Sequence, residues 1–297
     1  MTDLSELSES LSSVAEAGAA AALHLSAGCR RRATATAFDV RHAITTAHAV
    51  GHRERVWLRD DGGARFEAEV AGRDPGTDLA LLALPEDAAL QAPRFREPDD
   101  AVKLGALVLA LGRPGRALRA SMRMLGAVAS DVPTHGGATL PRYLETDRAI
   151  PSGFEGGPVL DLEGRVIGLQ SRAAVRGADL IVPIETLREV AAELAAHGRV
   201  RSGFLGVSVR PIGLPDAARR QLSRRRGALV MGVAPGGPAE SAGLHLGDVI
   251  LGLDGVEVSG GRSLARALRA RFGAPAPLEI WRTGAPVSLT ITPEERA

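Results

Sequence analysis

The chain has almost no cysteine and almost no net charge. Cys29 is its only thiol, so no intramolecular disulfide can form, a composition that suits a reducing compartment. Its 36 lysines and arginines face 35 aspartates and glutamates, leaving a formal charge of +1. No global field therefore favours nucleic acid or an anionic membrane, and neither is expected as a partner. The clusters Arg30 to Arg32 and Arg224 to Arg226 read as solvated loop charge. No segment approaches the roughly 18 to 20 apolar residues that a membrane-spanning helix needs. The opening Met1-Thr2-Asp3-Leu4-Ser5-Glu6 is acidic where a secretory signal carries positive charge. These absences together lead to an expected cytoplasmic location.

What is present is ordinary for a soluble globular protein: 45% hydrophobic and 24% charged residues over a length that suggests two domains. After an amphipathic helical segment within residues 1–21, short apolar or alternating runs separated by turn signals continue to residue 182. Examples are Arg55 to Arg59, Arg65 to Ala71, Leu79 to Leu84, Leu107 to Leu111, Arg123 to Ala129 and Val166 to Gln170. Such spacing predicts an all-β barrel or sandwich. From Pro183 to His197 the period becomes helical, with Ile184, Leu187, Val190, Ala191 and Leu194 on one face and Gly198 as the stop. A domain over residues 22–197 is thus expected, then a short basic linker at 198–202 and a second domain at 203–297. Within the latter, Asp254-Gly255 signals a hairpin and Ser263 to Phe272 a helix.

Three motifs carry the chemistry. Ile150-Pro151-Ser152-Gly153-Phe154-Glu155-Gly156-Gly157-Pro158 has a glycine-rich turn frame before a strand. Upstream stand Ala43-Ile44-Thr45-Thr46-Ala47-His48 and Gly76-Thr77-Asp78-Leu79-Ala80-Leu81. In this order and spacing they resemble the histidine, aspartate and nucleophile loops of trypsin-like proteases of the HtrA/Deg family. Downstream, Gly227 to Val233 and Gly236-Gly237-Pro238-Ala239-Glu240-Ser241-Ala242-Gly243 to Leu251 resemble a PDZ domain of the HtrA type. The resemblance covers about 270 of the 297 residues. It implies a mainly β fold: a trypsin-like double β-barrel followed by an α+β PDZ domain.

Residue by residue, the resemblance makes His48 the general base, Asp78 its orienting carboxylate, and the backbone at Gly153 and Glu155 the oxyanion donors. The family serine falls on Glu155. A carboxylate is a weak nucleophile toward amides, and its charge sits where the oxyanion must be stabilised. Pairing of Glu155 with His48 is expected instead. Ser152 lies three residues too early on the turn to replace the serine, and Ser130, Thr146 and Ser171 have no motif support beyond a structural role. A histidine with two carboxylates is also a ligand set that divalent ions accept, but triad geometry points the imidazole at the carboxylate, so no metal or other cofactor is expected. Ahead of the histidine strand the family often has Gly-Ser-Gly, where this chain reads Ala33-Thr34-Ala35-Thr36-Ala37-Phe38. The family's trimers are commonly sealed by N-terminal aromatics, and none precedes Phe38, which leaves homo-oligomerisation open.

In the second domain, Gly203-Phe204-Leu205-Gly206-Val207 matches the family's carboxylate-binding loop, and the helix bearing Leu264 and Leu268 is expected to wall a groove for an extended peptide. The functional expectation is a catalytically inactive HtrA-like endopeptidase homologue that binds unfolded segments or C-terminal peptides, with an active relative as a further partner. The alternative is an active serine endopeptidase degrading misfolded proteins through a non-standard nucleophile. Ala178 to Pro183 resembles the loop that helps wall the family's primary specificity pocket.

Overall fold

The computed structural model describes residues 4–27, 32–97, 100, 102–134, 136–175, 177–222, 224–269 and 271–295. Cys29, Arg30, Arg31 and the side chain of Arg32 lie outside the described residues. The chain divides into two compact units, Met1–Val200 and Arg201–Ala297. No helix among the described residues is long and apolar enough to cross a membrane.

The first unit opens with helix α1 (Leu4–Ala17), which sets Val14 against Leu109, Leu111 and Leu160. Two closed barrels follow. The first holds β1 (Ala22–Ser26), β2 (Arg32–Ala37), β3 (His42–Thr46), β4 (Arg55–Arg59), β5 (Arg65–Asp74) and β6 (Leu79–Ala83), in the order β1-β2-β3-β6-β5-β4. The second holds β7 (Leu107–Gly112), β8 (Arg119–Pro133), β9 (Thr139–Thr146), β10 (Pro158–Leu160), β11 (Val166–Ser171) and β12 (Leu180–Pro183), in the order β10-β11-β12-β9-β8-β7. Closure leaves no long unpaired edge. A single turn, α2 (Ala47–Val50), follows β3, and α3 (Ile184–His197) follows β12.

Burial explains the strand patterns. On β4, Val56 and Leu58 point into the first core between exposed Arg55 and Trp57, the alternation of a half-buried strand. β6 is buried on both faces. Ala80 and Leu82 face the first barrel's interior, while Leu79 and Leu81 pack with Leu187, Val190 and Leu194 of α3 and with Leu169 and Val182 of the second barrel. Helix α3 ends where Gly198 turns left-handed (φ 69°), its N–H bonded to the Leu194 carbonyl at 2.9 Å. That turn lies so near the β5 bulge that a Cβ on Gly72 would come within 2.4 Å of the Gly198 carbonyl oxygen. β8 runs well beyond the segment expected from Arg123 to Ala129. Its exposed Met122 and Met124 flank an inward-facing Arg123, reversing the apolar-in pattern that marks strand ends.

The second unit is a sheet flanked by short helices. β13 (Gly203–Phe204) precedes β14 (Val207–Gly213), α4 (Asp216–Leu222), β15 (Arg226–Val233), α5 (Pro238–Ser241), β16 (Val249–Leu253), β17 (Val256–Glu257), α6 (Gly261–Leu268), β18 (Ala276–Arg282), β19 (Ala285–Ile291) and β20 (Glu294–Glu295). The main sheet runs β14-β15-β16-β18-β19, and β13 pairs with β20. The β16–β17 turn is Asp254-Gly255, with φ of 47° and 76°. Helix α6 begins and ends earlier than the expected Ser263 to Phe272. Ser263 is the third helical residue, and its Oγ accepts the Ser259 and Gly260 N–H groups at 2.8 and 3.1 Å. At the other end, Arg269 turns extended and pairs with Ser202.

Candidate active site and peptide groove

His48 and Asp78 are brought together by two adjacent turns. Partly buried Ala47 and buried Ala49 and Val50 anchor α2 in the first core and leave the His48 ring, 35% exposed, on the open side. Asp78 occupies the left-handed region (φ 61°), a conformation that costs a non-glycine residue energy and must be held in place. The preceding turn holds it: the Asp74 carboxylate accepts the Gly76 N–H (3.0 Å), the Thr77 N–H (3.2 Å) and the Thr77 hydroxyl (2.7 Å). The Asp78 carbonyl accepts the Ala47 N–H at 2.8 Å, tying the two turns by backbone. The Asp78 Oδ2 then lies 2.8 Å from His48 Nδ1, and Oδ1 accepts the His48 backbone N–H at 3.0 Å. Ser171, at the end of β11, donates its hydroxyl to the same Oδ2 at 2.7 Å. This contact gives a place in the site to a residue that sequence reasoning had set aside as structural.

Glu155 arrives from the β9–β10 loop. The loop turns on Gly153 (φ 85°) and Gly156 (φ 80°), and β2 of the first barrel fixes it. Thr34 Oγ1 donates to the Gly153 carbonyl (2.7 Å), Thr36 Oγ1 to the Gly156 carbonyl (2.8 Å), and the Thr34 N–H to the Glu155 carbonyl (3.0 Å). The packing is so close that a Cβ on Gly156 would meet the Thr34 carbonyl oxygen at 2.1 Å. The Ala33 to Phe38 strand that departs from the family's Gly-Ser-Gly thus supplies the hydroxyls that hold this loop.

So positioned, Glu155 Oε2 lies 3.2 Å from His48 Nε2. Hydrogen bonding to Asp78 first, and to Glu155 second, pushes the ring's pKa from 6.5 up to about 9 against the opposing effect of burial. At neutral pH the imidazole therefore already carries the proton that a general base would have to accept. Glu155 Oε1 lies 3.4 Å from Arg172 Nε, which is 3.8 Å from Asp179 Oδ2. The result is a row of alternating charges: Asp78, His48, Glu155, Arg172, Asp179. Neither Arg172 nor Asp179 carries a motif, although Asp179 falls in the Ala178 to Pro183 segment noted as a pocket wall. The carboxylates sit at opposite ends of the imidazole instead of converging, and no metal-binding group of three or more His, Cys, Asp or Glu occurs among the described residues.

In the second unit, the seven residues expected at the groove surround one cavity of about 250 Å³. Gly203, Phe204, Leu205, Gly206 and Val207 form one side, continued by Val209, and Leu264 and Leu268 of α6 form the other with Gly261 and Ala265. Leu205 is a core residue whose carbonyl accepts the Ala239 N–H at 2.9 Å. Gly206 (φ 76°) accepts the Ala234 N–H at 2.7 Å, and Phe204 is 40% exposed.

Residues 33–169 match the family model described as a trypsin-like peptidase domain, and residues 203–292 that of the PDZ domain. A protein of Halomonas elongata named as a probable periplasmic serine endoprotease DegP-like is 31% identical over 262 residues, 84% of this chain and 53% of that protein. Its namesake in Ectopseudomonas mendocina is 32% identical over 265 residues, 86% and 55% of the two chains. The chain spans about half the length of these curated relatives. Among solved structures, an HtrA-type protease AlgW with decapeptide superposes with a TM-score of 0.74 at 25% identity, covering 97% of this chain and 99% of that one. AlgW with tripeptide gives 0.73 at 28%, covering 97% of each.

These relatives overturn the cytoplasmic expectation, since their names place them in the periplasm. Of the acidic segment behind that expectation, Leu4 to Glu6 belong to α1, a helix that sets Val14 in the core of the first unit. Two closed barrels, a peptide-groove unit and all three sets of matches agree: the chain belongs to the HtrA/DegP family of trypsin-like proteases with a PDZ domain.

Proposed function

We propose that this chain is an HtrA-like endopeptidase homologue disarmed at residue 155, whose PDZ unit binds unfolded segments or C-terminal peptides. The carrying observation is the Glu155 carboxylate, 3.2 Å from His48 Nε2, at the position where the family resemblance puts a seryl hydroxyl. Acyl transfer needs a neutral imidazole to take the nucleophile's proton and backbone donors, here those of residues 153 and 155, to hold the oxyanion. Asp78 first and Glu155 second keep His48 protonated near neutrality, and the Glu155 carboxylate adds a negative charge beside the donors meant for the oxyanion. Loss of a triad nucleophile costs on the order of a million-fold in turnover.

Peptide binding is independent of residue 155. An extended peptide fits beside β14 as an added strand, its backbone hydrogen-bonded to β14 and its side chains toward Leu264 and Leu268. That AlgW was solved with a decapeptide and with a tripeptide supports this reading. The names of the relatives support a periplasmic location, and an active relative is a fitting partner. The test uses purified wild type, Glu155→Ser, and Glu155→Ser with His48→Ala, each assayed with an unfolded protein and with a small activated ester. Wild type is expected to be inert, and Glu155→Ser to gain His48-dependent ester hydrolysis. His48-dependent cleavage of the protein by wild type would sink the proposal.

A further inference from the structure

The Arg172 guanidinium bridges two segments of the barrel unit beside Glu155. Its backbone directly follows Ser171, where β11 stops pairing with β12. Its head group reaches the loop that carries Glu155: Nη2 donates to the Ile150 carbonyl, and Nε lies 3.4 Å from Glu155 Oε1. Asp179, 3.8 Å from the same Nε, accepts the Ile150 N–H at 2.6 Å and completes a ring of contacts. The guanidinium thus spans the gap between the Ile150–Glu155 loop and the chain leaving Ser171, directly beside the carboxylate of residue 155 that a peptide carbonyl would have to approach.

We propose that Arg172 is an ionic strap that closes the barrel cleft to extended peptides, a second barrier distinct from the missing hydroxyl. The inference rests on the reading of residue 155 given above. A lone exposed ion pair contributes little and yields readily. Arg172 is 40% exposed, but its head group is fixed at three points, one of them the carbonyl of buried Ile150. An entering peptide must break these contacts together, and its own backbone offers no cation to replace them. Removal of the guanidinium leaves Glu155 paired with His48 and Asp179 bonded to the Ile150 N–H, so the opened cleft retains partners for both carboxylates.

The test is binding, so it does not depend on restored catalysis. A fluorescent, C-terminally amidated nonapeptide with an apolar centre lacks the carboxylate suited to the PDZ loop. Its anisotropy is followed with full-length wild type, Arg172→Ala and Arg172→Gln, each with and without Ala265→Trp, which fills the PDZ groove. Both Arg172 variants are expected to bind about tenfold tighter than wild type, and the gain to survive Ala265→Trp. Equal affinity of wild type and either folded variant, or a gain abolished by Ala265→Trp, overturns the strap. Arg172→Gln preserves bulk and one hydrogen-bonding head, so it serves if the alanine variant is poorly folded. Proteolysis by wild type would refute the disarmed reading without altering these binding outcomes.

Discussion

The charge on His48 can be measured directly. Its pKa rises from 6.5 to about 9, with Asp78 the first cause and Glu155 the second. At about 1.4 kcal/mol per pKa unit, the whole rise corresponds to about 3 kcal/mol of folding stability. With the ring 35% exposed, solvent screening reduces that to about 1 to 2 kcal/mol. A group whose folded pKa is raised stabilises fully below its unfolded value. The contribution is therefore complete below pH 6.5 and is lost as pH climbs through about 9. Glu155→Gln keeps the shape and removes the charge, so the ring's pKa is expected to fall by about one unit or more, and the loss of stability to begin at correspondingly lower pH. The assay is an NMR titration of the histidine rings, with His48 assigned by its absence in His48→Ala, run beside urea unfolding at several pH values. An unchanged His48 midpoint in Glu155→Gln refutes the ion pair and leaves Asp78 as the sole cause of the raised pKa.

Three further outcomes follow from the same geometry. Gly156→Ala forces a Cβ to within 2.1 Å of the Thr34 carbonyl at a φ of 80°, and is expected to cost about 2 to 4 kcal/mol in urea unfolding. Thr34→Val strips the buried hydroxyl that donates to the Gly153 carbonyl and accepts the Arg113 N–H. Two buried groups left unpaired cost about 2 to 4 kcal/mol, and the loosened loop is expected to bring the His48 pKa down from about 9; destabilisation with an unmoved ring would refute the positioning role. Ala265→Trp fills the PDZ cavity of about 250 Å³ from an exposed helix position, and is expected to weaken binding of a C-terminal peptide at least about tenfold by calorimetry while leaving the His48 titration unchanged.

The parts of this protein that sequence made legible are those in which local conformation dictates residue type. Gly153 and Gly156 adopt left-handed φ, Gly198 ends a helix, Asp254-Gly255 closes a hairpin, and each is recognisable because few residues tolerate those angles. The contacts that decide the charge at residue 155 are of another kind. Thr34 meets Gly153 across 119 positions, and Ser171 meets Asp78 across 93, with residue types common anywhere in a chain. Arg172 was invisible for the same reason, being one arginine among many until the fold sets it beside Glu155. The loop is held through the carbonyls of residues 153, 155 and 156, none of which depends on the side chain at 155. A loop frame carried by backbone hydrogen bonds is therefore legible whatever side chain stands at 155. Position 155 and its pairing with His48 could be read in the sequence on that account, whereas its second charged partner, Arg172, emerged only in three dimensions.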